Sequence, residues 1–170
     1  VQTCALPILP VPLDELLAHE GVPVRFFSRF SPRIRAMREF AYSAPLARWL
    51  EQHAEEYDLL HVHALFSFAS TAAMRLARRR KVRYVCRPLG QLNRWAINHR
   101  GLKKRLYLAL TERANLRGAA GVNFTTTLER DEAKEVEPSL RGFVVPHGLA
   151  IQAEIPDARR RLRDKLGLPA

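Results

Sequence analysis

The chain has 170 residues, 47% of them hydrophobic, with a formal net charge of +11 and only two cysteines. That length supports one well-formed core, and no apolar run reaches the roughly 18 to 20 residues a membrane span needs. Two thiols, Cys4 and Cys86, give no disulfide framework and fit a reducing, cytoplasmic setting.

The first eight residues, VQTCALPI, have no initiator Met and resemble the in-frame translation of a sequencing adaptor. Residues 1–8 are therefore set aside as non-native, residues 9–150 are read as one incomplete domain, and 151–170 as a linker with one short basic helix. After Gly21, the Val- and Phe-rich stretch Val22–Ser28 reads as a strand. Pro32 suits the first turn of a helix reaching about Tyr57, which Pro45 splits or kinks. DLLHVHAL (Asp58–Leu65) is the next strand, and Ser67 or Ser70 caps a helix ending in arginines at Arg80. Val82–Gly90 is a third strand and is followed by a loop. An amphipathic helix, Leu102–Arg117, comes next, with the apolar stripe Leu102, Leu106, Ala109, Leu110 and Ala114 expected to face the core. GVNFTT is a fourth strand, TLERDEAKEVE a helix and GFVVPHG a fifth strand.

Apolar strands alternating with helices predict an α/β fold with a Rossmann-like parallel sheet and helices on both faces. In such sheets ligands bind beyond the carboxyl ends of the strands, here HVHALF, RPLGQLNRW, FTTTLE and PHGL. His61 and His63, two apart in a strand, point the same way about 6.6 Å apart. That spacing permits a shared metal, but a hydrolytic centre ordinarily needs another His and a carboxylate; His147 could supply the first, and no acid lies at a matching strand end. The expectation is no metal, a half-buried hydrogen-bonded His61, and a His63 facing substrate near the mouth. Arg87 can fork onto a phosphate or carboxylate, and Gly90 lets a ligand approach a turn with exposed N–H groups; an ordinary surface turn explains both equally well. Asn93 and Trp95 lie in the next loop, Trp95 either stacking on a sugar or covering the core. Glu129 is either a ligand contact or one half of a capping box with Thr126. His147 and Gly148 form a turn in which Gly148 is expected to take an unusual dihedral.

Charge is unevenly placed. Between Arg75 and Arg117 lie 14 of the 28 Lys and Arg residues and one acid, Glu112. Such a region is either a solvated basic face or a phosphate-attracting one, and without a helix-turn-helix, zinc-finger or RNP-like pattern it favours an anionic membrane surface or a phosphate-bearing ligand over nucleic acid.

In order and spacing, YDLLHVHALFSF, RPLGQLNRWAINHRGLKKRLYLALTERANLRGAAGVNFTTTLERDEA and VVPHGL resemble the N-terminal domain of family 4 glycosyltransferases, over roughly Tyr57–Leu149. The resemblance implies one half of a two-domain GT-B enzyme that transfers a sugar from a nucleotide-sugar with retention of configuration. It implies no metal and no resident cofactor. The N-terminal domain holds a glycan or lipid-linked acceptor of polysaccharide or cell-envelope synthesis, at the cytoplasmic face of a membrane. His63 matches the family's strand-end histidine, Gly90 the glycine of its Pro-His-Gly turn (with Leu89 replacing His), and Glu129 the acid of Thr-Ser-x-x-Glu. Gly148 matches the glycine of Pro-Asn-Gly, with His147 replacing Asn. The family's opening strand, its Gly-rich loop and its donor domain with paired glutamates are not found. A fragment inactive alone is therefore expected, with a non-catalytic binding module or one subunit of a split enzyme as the alternative, and a metal hydrolase using His61 and His63 behind both.

Overall fold

The computed structural model describes residues 11–98, 101–148 and 157–167, the side chains of residues 35–37 excepted. The expected non-native residues 1–8, Cys4 included, and most of the linker before residue 157 lie outside that range. Four strands, β3 (Leu60–His63), β4 (Tyr84–Arg87), β5 (Gly121–Phe124) and β6 (Gly142–Val144), pair in parallel in the order β3-β4-β5-β6. Each follows its neighbour in sequence through a helical crossover, so every strand points the same way and all four carboxyl ends share one edge. All four residues of β5 are buried, so the sheet is covered on both sides there.

The crossovers are α3 (Phe68–Arg80), the run α4 (Arg94–Asn98), α5 (Gly101–Tyr107) and α6 (Arg113–Gly118), and α7 (Thr127–Val136). One core joins the sheet to these helices through Val62, Met74, Tyr84, Cys86, Val122 and Phe124. The Tyr84 hydroxyl donates to the Asn115 carbonyl, and burial pushes its pKa up to about 12. Cys86 is a free thiol in the same core, raised by burial to about 12. It packs as a small apolar side chain.

Ser67 caps α3 as expected, its hydroxyl accepting from the Ser70 N–H, and Arg78–Arg80 close the helix. The helix expected from Pro32 to Tyr57 is two helices, α1 (Arg35–Phe40) and α2 (Ala44–His53). Ala41 closes α1 at φ 55, and Pro45 lies in the first turn of α2, where its missing N–H costs no bond. Ser43 joins the two. Its hydroxyl donates to the Ser28 carbonyl at 2.6 Å and accepts the Leu46 N–H at 3.2 Å.

Two expectations are corrected. Val22–Ser28 does form a strand, β2 (Val22–Arg25), but it pairs antiparallel with β1 (Leu16–His19), where no element was foreseen. Glu20 and Gly21, at φ 50 and 78, make the two-residue turn that fits a twisted hairpin and cannot lead into a crossover. In the helical run 101–118 the expected core stripe faces outward: Leu102, Leu106, Ala109, Leu110 and Ala114 are all exposed. The buried residues are Leu108, Glu112, Asn115 and Leu116. A π-helical turn, Leu108–Glu112, separates α5 from α6, the Arg113 N–H reaching back to the Leu108 carbonyl. This one-residue slip of the ladder turns Glu112 inward.

Of the final segment, α8 (Ala158–Leu166) is the short basic helix expected. Among the described residues no helix is long and apolar enough to cross a membrane.

Ser43→Ala is expected to cost about 1 to 2 kcal/mol, because the α2 cap is lost and the part-buried Ser28 carbonyl is left without its donor. Urea denaturation should show a lower midpoint with an unchanged slope.

Candidate functional site at the carboxyl rim of the sheet

The loops leaving the four strands are tied to one another along the shared edge. The Ala64 N–H donates to the Arg87 carbonyl, the Val145 N–H to the Phe124 carbonyl, and the Leu65 N–H to the Gln91 side chain. Glu129, at the start of α7, makes the central connection. Its Oε1 accepts the Gly90 N–H at 2.8 Å; its Oε2 accepts the Thr125 N–H and hydroxyl, both at 2.9 Å. Burial alone would raise the Glu129 pKa, but these three hydrogen bonds and the nearby Arg87 outweigh it, leaving the carboxyl below its ordinary value.

Half of the capping box forms. Thr126 Oγ1 accepts the Glu129 N–H at 3.1 Å, whereas the carboxylate passes over Thr126 to Thr125 and Gly90. Leu89 and Gly90 both have positive φ, 55 and 72, so this turn needs glycine for its backbone, with open space where a Cβ would stand. The Gly90 N–H expected to be exposed for ligand is taken by Glu129, because the turn folds back against α7.

Arg87 ends β4 in register with His63 on β3, and its Nη2 donates to His147 Nε2 in the segment after β6. Arginine only donates, so His147 presents an unprotonated Nε2 there. The Arg87 Nε–H is enclosed and has no hydrogen-bond partner among the described residues. The charge of Arg87 also reaches His61 and His63. Partial burial, then the neighbouring positive groups, lower both histidine pKa values.

The two imidazoles lie on the same side, ring centroids 4.4 Å apart. Both are exposed, which corrects the half-buried reading of His61: among the described residues β3 is an edge strand, with no neighbour on its far side. The pair lines a groove of about 580 Å³ between the β1–β2 hairpin, α2 and β3. Among the described residues no third His, Cys, Asp or Glu joins them in a metal-holding group.

Asn93 acts as a cap, its Oδ1 accepting the Ala96 N–H at 2.6 Å. Trp95 is 74% exposed and does not cover the core. Gly148 is exposed beside His147 and does not have the positive φ expected of it. His63, Arg87, Gly90, Glu129 and His147 are thus brought to one rim, Gly148 lies at its outer end, and Asn93 and Trp95 belong to the helix that follows.

Sequence reasoning missed Glu112. Wholly buried, its Oε1 accepts the Thr71 hydroxyl at 2.6 Å and the Phe66 N–H at 3.3 Å, and its Oε2 accepts from Asn115 at 3.1 Å. It fixes the loop after β3, where Ala64 and Phe66 have φ values of 67 and 57. Its solitude among so many cations was the available signal.

Together these features describe a Rossmann-like domain with a rim of pre-set loops. Residues 6–148 match the family described as glycosyl transferase 4-like domain, and the chain belongs to that family. A comparison with curated proteins returns no match. Among solved structures, the chain resembles a Listeria monocytogenes protein described as a candidate UDP-N-acetylglucosamine 2-epimerase. The TM-score is 0.50 at 12% identity, over 83% of this chain and 38% of that one, a likeness of fold. The chain therefore spans well under half the length of that structure.

Glu129→Gln is expected to flatten the acid limb of the stability profile. A carboxyl with a lowered folded pKa contributes stability above its unfolded value near 4.5 and loses it as pH falls through the folded value. Thermal denaturation from pH 7 down to pH 3 should therefore show a shallower loss in the variant. Arg87→Gln removes a cation that disfavours both imidazolium forms, so NMR titration should show the His61 and His63 pKa values rising together.

Proposed function

We propose that this chain forms the acceptor-side wall of a glycosyltransferase that moves a sugar from a nucleotide-sugar to a glycan or lipid-linked acceptor, with retention at the anomeric carbon. The observation that carries the reading is the rim: in a glycosyl transferase 4-like domain, the loops after β4, β5 and β6 are cross-tied by Glu129 and by the Arg87–His147 bond, and the loop after β3 joins them through Ala64–Arg87 and Leu65–Gln91. Loops held in advance lose little freedom when a flexible, hydroxyl-rich acceptor binds. The half-buried Arg87 guanidinium carries its positive charge to the rim, where it suits an acceptor oxygen or phosphate. His63, held neutral by partial burial, His61 and Arg87, is suited to receive a proton from an acceptor hydroxyl. Glu129 and Gly90 shape the turn from beneath, and His147 with Gly148 closes the far end. The nucleotide-sugar enters as substrate, held by a second domain facing this rim, and no resident cofactor or metal takes part. On this reading the 170-residue chain binds acceptor and does not turn over alone.

Amide NMR of the labelled chain tests this directly. Titration with a panel of oligosaccharides and polyprenyl-phosphate head-group analogues should move signals at Leu65, Gln91, Thr125 and His147. Arg87→Gln should weaken that binding about tenfold. Sugar transfer by the chain alone, or shifts confined to the loop between Ser28 and Pro45, would defeat the proposal, as would a panel that moves no rim signal.

A further inference from the structure

The two histidines of β3 stand side by side, and their rings converge. Residues two apart on a strand begin about 6.6 Å from one another. The imidazole centroids of His61 and His63 are only 4.4 Å apart. Both rings are exposed at the sheet edge and line the groove between the β1–β2 hairpin, α2 and β3. Among the described residues neither ring has a hydrogen-bond partner, so their nitrogens are unspent. A metal held by a ring nitrogen stands about 3.2 Å from the ring centre, a bond of about 2.1 Å plus about 1.1 Å within the ring. Two such arms with ends 4.4 Å apart meet at about 90°. That is the cis angle of square-planar Cu(II) or Ni(II), whereas tetrahedral Zn(II) asks for rings about 5.2 Å apart. We propose that His61 and His63 form a two-histidine chelate for an exchangeable Cu(II) or Ni(II) ion.

The surroundings suit an ion that comes and goes. Imidazole is a ligand these metals favour, and Cu(II) heads the affinity order at such sites. Partial burial keeps both rings toward the neutral form, which is the form that ligates. With two protein ligands the remaining positions fall to water, and no described strand lies beyond β3 to crowd them. Arg87, in register with His63, is the cation both rings feel, and its guanidinium is engaged by His147. Arg25 on β2 donates to the Asp14 carbonyl at 2.7 Å and lies over the Trp49 ring. His53 and Glu56, in the groove wall, bond to one another at 2.9 Å, and among the described residues neither completes a three-ligand group. The ion therefore has neither the third ligand nor the acid that hydrolysis requires. Bound there, it occupies a His63 nitrogen at the rim and so inhibits sugar transfer. That consequence rests on the acceptor reading; the chelate itself does not.

Calorimetric titration of the whole chain with the chlorides of Cu(II), Ni(II), Zn(II) and Mg(II) decides the matter, in a Cys4→Ser background so that this thiol does not compete. One Cu(II) per chain should bind tightly, Ni(II) and Zn(II) more weakly and Mg(II) not at all. His61→Asn and His63→Asn should each weaken Cu(II) binding on the order of a hundredfold, because the second bond of a chelate forms within one molecule. His53→Asn and His147→Asn should leave it unchanged. Electron paramagnetic resonance of the Cu(II) complex should show two equatorial imidazole nitrogens. Cu(II) held equally well by both β3 variants, a single imidazole in the spectrum, tighter binding of Zn(II) than of Cu(II), or no binding would overturn the chelate. Glycan titration of the metal-free chain reports on the acceptor reading by itself, so a chain that takes Cu(II) and no glycan keeps the chelate and loses that reading.

Discussion

One carboxylate holds the edge of the sheet together. Glu129 takes three hydrogen bonds from two separate loops, and both loops leave neighbouring strands with backbone that would otherwise be free to move. The turn at Leu89–Gly90 is held against the start of α7 by a charge-assisted bond to its own N–H, which a neutral side chain would make more weakly. The rim is set by the fold before any ligand arrives. Glu112 does the same one loop earlier, from beneath, where its buried oxygens hold Phe66 and Thr71. Two acids, one at the surface and one in the core, thus fix the loops of three consecutive strands.

Arg87 complements them electrostatically. Placed in register with His63 and bonded to His147, it carries positive charge among three imidazoles and near Glu129. It favours the anionic form of the acid and the neutral forms of His61 and His63, so one side chain biases several protonation states across the rim. Removal of that charge reaches well beyond one contact.

Much of this arrangement was legible in the sequence. Asp58–Leu65, Val82–Gly90, GVNFTT and GFVVPHG announce themselves as strands because they are short, apolar and β-branched and are divided by helical stretches, and that rhythm leaves little choice but a parallel sheet. Other features depended on what packs against what, which periodicity does not state. Leu102, Leu106 and Leu110 reveal an apolar face but not which way it points; the answer lay in Thr71 and Asn115, polar residues that bind Glu112 in the core. His61 was read as half-buried because it lies deeper in the strand than His63, whereas β3 is an edge among the described strands and leaves both rings exposed. Glu129 looked sufficient as a helix cap, since its partner Gly90 is 39 residues away and brought near only by the sheet.

The π turn at Leu108–Glu112 amounts to an inserted residue absorbed without breaking the helix. Excising one residue there would restore the regular ladder yet rotate everything upstream by about 100°, bringing a different set of side chains to the outside. In lineages descended from this domain, side chains along that stretch can therefore drift while its residue count cannot, so insertions and deletions should be sparse there even where identity is low.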